Sequence, residues 1–179
     1  MRRIKNRYRR PKTPWNSIQI KENKELISKY GLRRQKEILV AREILRRFRE
    51  RARTINATKN KTEERVLLEQ MARLGLLEKG KAVDDVLALT VDDILNRRLQ
   101  TVVFKKGLAK TMKQARQLVV HHHVAISGRK TNVPSYIVLA EEEGKIGLYK
   151  ENGHKTVKHE VKHEPKHEAK HAAGVSENG

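Results

Sequence analysis

The spacing of apolar positions changes along the chain, and the changes divide it into elements. From Lys21 apolar residues recur at helical intervals until "KYGL", where Gly31 marks a helix end. From Arg33 to Arg53, "RRQKEILVAREILRRFRERAR", residues Ile38, Ala41, Leu45, Phe48 and Ala52 recur three and four apart, which is one face of an amphipathic helix. After "TINATKNKT", Glu63 and Glu64 favour a helix start because a first turn carries partial positive charge, and Gly75 ends a short Leu-rich helix. Thr90 with Asp93 three residues on is a capping pattern that opens "VDDILNRR". Val102, Val103 and Phe104 then run into "KKGLAK", a turn around Gly107. Thr111 as N-cap and Gln114 as its partner form a capping box, and "MKQARQLVV" places Met112, Ala115, Leu118 and Val119 on one helical face. The period then falls to two. In "HVAIS" Val124 and Ile126 alternate with smaller residues as in a half-buried strand, Gly128 permits a tight turn, and "RKTNV" returns as a second strand. "PSYIVL" and "KIGLY" read as further strands separated by the acidic "EEEG" turn.

These elements predict an α+β chain in four parts: a basic arm over 1–20, a helical domain over 21–96, a compact helix–turn–helix–strand module with a small antiparallel sheet over 97–150, and a tail over 151–179. The arm begins "MRRIKNRYRRPKTPWNS", with Pro11 and Pro14 and no helical period. Tyr8 and Trp15 read there either as stacking groups or as anchors of a disordered terminus. The tail repeats "VKHE VKHE PKHE AKHA", so His159, His163, His167 and His171 fall every four residues, a spacing that on a helix would suit a metal ion. Pro165 interrupts such a helix, and the Lys/Glu alternation with few apolar residues favours a solvated, disordered segment.

Charge changes the picture most. Lys and Arg total 41 against 21 Asp and Glu, a formal net charge of +20. The excess is blocked: residues 1–53 hold 19 basic and 5 acidic residues, 54–96 hold 6 and 8, 97–132 hold 9 and none, and 133–179 hold 7 and 8. Two basic regions alternate with two near-neutral ones, which implies two contact surfaces for a polyanion, with nucleic acid the natural candidate. No apolar run is long enough to span a membrane, and "MRRIKNRYRRPK" lacks the apolar core of a signal peptide. With no cysteine, disulfides, thiolate zinc sites and cysteine nucleophiles are excluded, as expected of a cytoplasmic chain.

Within the first block Arg42, Arg46, Arg49 and Arg53 recur at helical spacing, away from the apolar face. Glu50 and Glu43 lie four residues from Arg46 and Arg47, but two acids do not balance six arginines over 42–53, and a guanidinium fork matches phosphate oxygens. A phosphate-binding stripe is the preferred reading over a merely solvated one. In the second block one face is expected to carry Arg97, Arg98, Lys105, Lys106, Lys110, Lys113, Arg116, Arg129 and Lys130. Convergent cations on a rigid unit suit the shape and backbone of folded RNA better than base-by-base readout. His121, His122 and His123 sit at the helix-to-strand junction. Three adjacent side chains point in different directions and chelate one ion poorly, so a helix-end cap is preferred to a metal site.

"RRLQTVVFKKGLAKTMKQARQLVVHHHVAISGRK" closely resembles the RNA-binding module of the small-subunit ribosomal protein four family, continuing through "VPSYIVLAEEEGKI" in the archaeal or eukaryotic form. Upstream, "PW", "KYGLRRQKEILVAREILRRFRERAR" and "LGLLEKGKAVDDVLALTVDDILNRRLQ" resemble the same form, so the likeness runs in order over residues 14 to 149. The resemblance implies a primary binder of small-subunit ribosomal RNA that nucleates assembly of the subunit body. It also implies contact with a multi-helix RNA junction near the messenger entry path, protein five as a neighbour, and an influence on decoding accuracy together with protein twelve. It places RNA contacts on Arg46, Arg47, Arg49 and Arg53, and in the module on Arg97, Arg98, Gln100, Lys105, Lys110, Thr111, Gln114, Arg116, Gln117 and His123. No cofactor, metal, membrane or obligate homo-oligomer is implied. The chain departs from the family at His122, where glycine is usual and where a less tight turn is expected, and in an extreme N-terminus shorter than the archaeal norm. It also lacks the N-terminal cysteine zinc site of some bacterial members.

An RNA-modifying enzyme sharing the module would need a catalytic domain. Residues 1–96 offer helices and arginines without a nucleophile or cofactor loop, and "EKGKA" lacks the glycine spacing and Ser/Thr of a phosphate loop. A stand-alone stress factor that binds ribosomal RNA through the same module is the remaining alternative.

Overall fold

The computed structural model describes residues 7–78 and 80–149; the tail repeat and the first six residues of the arm lie outside it. Eight helices and three short strands follow in order: α1 Ser17–Tyr30, α2 Gln35–Thr58, α3 Lys61–Arg73, α4 Val83–Ala88, α5 Val91–Asn96, α6 Leu99–Lys105, α7 Met112–Val120, β1 Val124–Ile126, β2 Arg129–Lys130, α8 Ala140–Glu143 and β3 Ile146–Leu148.

Local chemistry sets most of the boundaries. Asn16 caps α1, its Oδ1 accepting from the Ile18 amide at 3.1 Å, and Asn60 caps α3 in the same way through Thr62. Asp93 accepts from the Thr90 amide at 2.8 Å, the acidic half of the expected box at α5. At α7 Thr111 Oγ1 accepts from the Gln114 amide at 3.1 Å, but Gln114 reaches back to the amide of Lys110 and not to that of Thr111. Gly31 ends α1 at φ +56°, and a Cβ there would lie 2.9 Å from Met112 Cβ. Glycine is therefore needed twice over, for the left-handed turn and for the close approach of α7.

Two apolar cores result. The first joins Tyr30, Leu32, the Ile38–Ala41–Leu45–Ala52–Ile55 face of α2, Leu67 and Met71 of α3, and Val83 to Leu95 of α4 and α5. The second packs Leu99, Val102 and Val103 of α6 against Ala115 and Val119 of α7, Val124 and Ile126 of β1, and Val138 and Ile146. Met112 and Ile137, from the second half of the chain, pack against the first core and stitch the two together.

The sheet has the order β2-β1-β3, antiparallel throughout, with Ile126 opposite both Arg129 and Ile146. Ser127 and Gly128 turn β1 into β2 at φ +50° and +81°, as a two-residue hairpin requires. Three expectations are corrected. β1 is buried at all three positions and is not half-buried, because it is the central strand with Ala125 also covered. "PSYIVL" forms no strand; its one ladder contact is an isolated bridge between Ile137 and Arg98. The acidic "EEEG" turn is the single-turn helix α8.

Candidate nucleic-acid interface

The expected contact residues divide into those that build the scaffold and those that face solvent. Gln100 belongs to the scaffold. It is 1% exposed, and its Nε2 donates to the carbonyls of Tyr30, Gly31 and Met112 at 3.0, 3.2 and 3.0 Å. One buried amide thus ties the end of α1 to the start of α6 and of α7. Beside it Glu37 of α2 accepts from Arg98 at 2.5 Å and pairs with Arg116 at 3.1 Å. Burial raises the Glu37 pKa, but the hydrogen bond from Arg116 and the charges of both arginines outweigh it, and the net shift is downward. Burial in turn pulls the Arg98 guanidinium down, against the attraction of Glu37. Arg97 stacks its guanidinium against Gly75, where a Cβ would meet its Cζ at 2.8 Å. It also donates to Glu143 at 2.6 Å and to the Val138 carbonyl at 2.9 Å. The expectation that Arg97, Arg98 and Arg116 lie on an open basic face is therefore corrected, and Gln100, expected from the resemblance to touch RNA, is buried: each is turned inward by a partner supplied from another element. Lys106 likewise bonds to the backbone carbonyl of Glu143.

The α2 stripe divides too. Arg42 donates to Asn23 Oδ1 at 2.8 Å and holds α1 against α2. Arg49 donates to the Leu89 carbonyl at 2.5 Å, closing the gap to the α4–α5 corner. Arg46 binds Glu43 through two nitrogens at 2.8 and 3.1 Å and reaches Glu50 at 3.2 Å. The hydrogen bond from Arg46 is the main reason the Glu43 carboxyl is held below its ordinary range. Arg47 shares Glu43 at 3.5 Å with its side chain largely in water, and Arg53 is exposed. Of the expected stripe Arg42, Arg46, Arg49 and Arg53, only Arg53 faces fully outward, joined by Arg47, which the resemblance adds.

The outward set lies mainly on the second half. Lys105, Lys110, Thr111, Lys113, Gln114 and Gln117 are exposed around the α6–α7 turn and the outer face of α7. His123 follows at its end, and Arg129 and Lys130 are exposed on the hairpin, with Lys130 Nζ 4.3 Å from the Tyr149 ring centroid. The packing of Met112 on Gly31 sets the first turn of α7 beside the α1–α2 junction, where Arg33, Arg34 and Lys36 are exposed. The periodicity of the α2 run conceals these three cations. The signal for them is Gly31 directly before, which takes "RR" off any helix face and into a corner. Arg34 and Lys36 also edge a cleft of about 480 Å³ with Tyr8, whose floor is Val40, Ile44 and Ile137.

The three histidines occupy a helix terminus. His121 is the C-cap of α7. The His122 amide donates to Val119 at 3.1 Å and the His123 amide to Leu118 at 2.9 Å, the paired bonds of a Schellman turn. His122 is at φ +61°, the left-handed position where glycine is ordinarily preferred. The expected loosening of the turn is corrected: the turn keeps its hydrogen bonds and the imidazole-bearing residue takes the strain. Among the described residues no group of three or more His, Asp or Glu side chains is arranged to hold a metal ion.

Residues 97–143 match the family model described as "S4 domain". Across the longer span, the chain is 46% identical over 157 residues to "Small ribosomal subunit protein uS4" of Methanothermobacter thermautotrophicus, covering 86% of this chain and 92% of that protein. The protein of the same name from Sulfolobus acidocaldarius is 44% identical over 158 residues, covering 86% and 90%. That from Ignicoccus hospitalis is 46% identical over 149 residues, covering 82% and 90%. The likeness thus reaches well upstream of the module into α1–α5, the part that shares its core with Met112 and Ile137. The chain belongs to the uS4 family of small ribosomal subunit proteins.

Proposed function

We propose that the protein is a structural component of the small ribosomal subunit that binds small-subunit ribosomal RNA directly, acts early in assembly of the subunit body, and works in the cytoplasm. Its protein neighbours are other small-subunit proteins, with protein five adjacent and protein twelve linked through decoding accuracy. The observation that supports this best is the pairing of likeness to uS4 proteins over most of the chain with an outward cationic surface on a rigid scaffold. RNA contacts are assigned to Arg47 and Arg53 of α2, Arg33, Arg34 and Lys36 of the corner, and Lys105, Lys110, Thr111, Lys113, Gln114, Gln117, His123, Arg129 and Lys130 of the second half. Arg42, Arg46, Arg49, Arg97, Arg98, Gln100, Lys106 and Arg116 position that surface from within.

The mechanism is electrostatic and geometric. Cations held on packed helices release condensed counterions from the RNA without losing much freedom of their own, which suits a binder that captures a folded junction. No chemical step is assigned to the chain. Co-sedimentation tests the reading: the protein remains on small subunits at one copy each after a high-salt wash. Recovery on free large subunits alone would instead support the stress factor, a reading that leaves the likeness of the helical half unaccounted for.

A further inference from the structure

Trp15 is 88% exposed, and Ile18 is 68% exposed. A tryptophan is normally highly buried, so an indole left in water needs a reason. Its backbone is not loosely held. Asn16 Oδ1 accepts from the Ile18 amide at 3.1 Å and the Asn16 carbonyl from the Ile20 amide at 3.0 Å, so Trp15 directly precedes a formed cap. An apolar residue there normally closes over the fourth helical position in a hydrophobic staple, and Ile20 stands at that position. Here the indole stays outside although its internal partner is present. Pro11 and Pro14 restrict the backbone leading to it.

The surroundings select an occupant. Residues 7–14, "RYRRPKTP", hold four cations and no acid, and Arg7, Arg9, Arg10 and Lys12 are all exposed. An exposed aromatic plane that follows guanidinium and ammonium groups within a few residues of the same exposed segment is the chemistry that binds single-stranded nucleic acid, the base on the ring and the phosphates on the cations. A duplex hides its base faces, so the base must be unpaired.

We propose that Trp15 is a stacking platform for an unpaired RNA base, with Arg10 and Lys12 holding the flanking phosphates. The proposal rests on the reading of the protein as a ribosomal RNA binder and adds a distinct single-stranded contact to it.

The chain has one tryptophan, so its emission reports on this site alone. The full chain is titrated with a short single-stranded oligoadenylate, with a blunt RNA duplex of equal length and with naked small-subunit RNA. Indole emission and the anisotropy of labelled RNA are read in parallel. Oligoadenylate and small-subunit RNA are expected to quench the emission saturably, and the duplex to bind without quenching. W15A weakens oligoadenylate binding about fivefold or more, W15F stays within about twofold, and both keep the wild-type circular dichroism. Binding seen by anisotropy with unchanged emission and wild-type affinity for W15A would overturn the proposal and leave the wider reading standing. Shielding of the indole from acrylamide only in assembled subunits, which makes a protein its cover, or only by anionic phosphatidylserine vesicles, overturns it equally. Failure of the chain to bind any RNA at low salt would remove both.

Discussion

His122 is one of three non-glycine residues in the left-handed region among the described residues, with Lys59 and Ser127. A side chain at φ +61° pays a conformational penalty that glycine avoids, while the Schellman hydrogen bonds are made by the backbone and survive substitution. His122→Gly is therefore expected to raise unfolding stability by about 1 kcal/mol in urea denaturation, and His122→Val to lower it by at least as much. A stabilising valine would show that the left-handed turn is not the governing feature. Glu37 is the opposite case, a residue whose partners make it stable. Its folded pKa is depressed, so its contribution is present in full above the unfolded carboxylate value and is lost as pH falls through the folded one. Glu37→Gln leaves Arg98 buried without a counter-charge and is expected to cost about 2–4 kcal/mol near neutral pH. Urea midpoints measured from neutral to acid pH should converge for wild type and variant as Glu37 protonates.

At the scale of elements, α7 and the turn before it carry the RNA-binding prediction. Lys105, Lys110 and Lys113 are exposed, and replacing all three by Gln should leave the fold intact. If each meets a phosphate, the slope of log affinity against log salt becomes shallower by about 2 to 3. An unchanged slope would make this face merely solvated. Charge reversal at Arg46 or Arg49 is a poorer test, since those side chains hold Glu43 and the Leu89 carbonyl and the variant would lose packing first. The sequence showed α7 to the residue because its cap, apolar face and end lie within a dozen positions. It showed α2 less completely: the helix continues to Thr58, carried by Ile55 on the buried face, while the Thr54 and Thr58 hydroxyls bond back to the preceding turn. "PSYIVL" misled because a short apolar run reads the same whether it pairs as a strand or, as here, bonds to the α5–α6 junction and the first turn of α6. Pro134, with no amide hydrogen, favours the second. The cations were legible as a block, but which of them turn inward was not. Glu37 lies 61 residues from Arg98 and 79 from Arg116, and no local pattern links them.

Across the whole molecule, those long-range bonds tie the two cores together. Gln100, the Glu37 pairs and the seating of Met112 and Ile137 all cross the same seam, between α1–α5 and the second half. A chain of net charge +20 repels itself, and urea, being uncharged, leaves that repulsion unscreened, so the seam is where uncoupling should start. Wild type is expected to unfold in one transition, followed by far-ultraviolet circular dichroism and by amide exchange. Gln100→Leu keeps the volume but leaves the carbonyls of Tyr30, Gly31 and Met112 without their shared donor. Combined with Glu37→Gln it should separate the two transitions, whereas a single transition at a lower midpoint would mean that apolar packing alone couples the cores. The seam also fixes the spacing between the Arg33–Lys36 corner and the α7 cations, so the same coupling bears on binding. Gln100→Leu alone removes no charge, yet it should weaken binding to naked small-subunit RNA by about tenfold through lost preorganisation. The salt slope should stay unchanged, because the number of phosphates met is the same. A fall in slope alongside the affinity would instead mean that one of the two cationic surfaces has left the RNA.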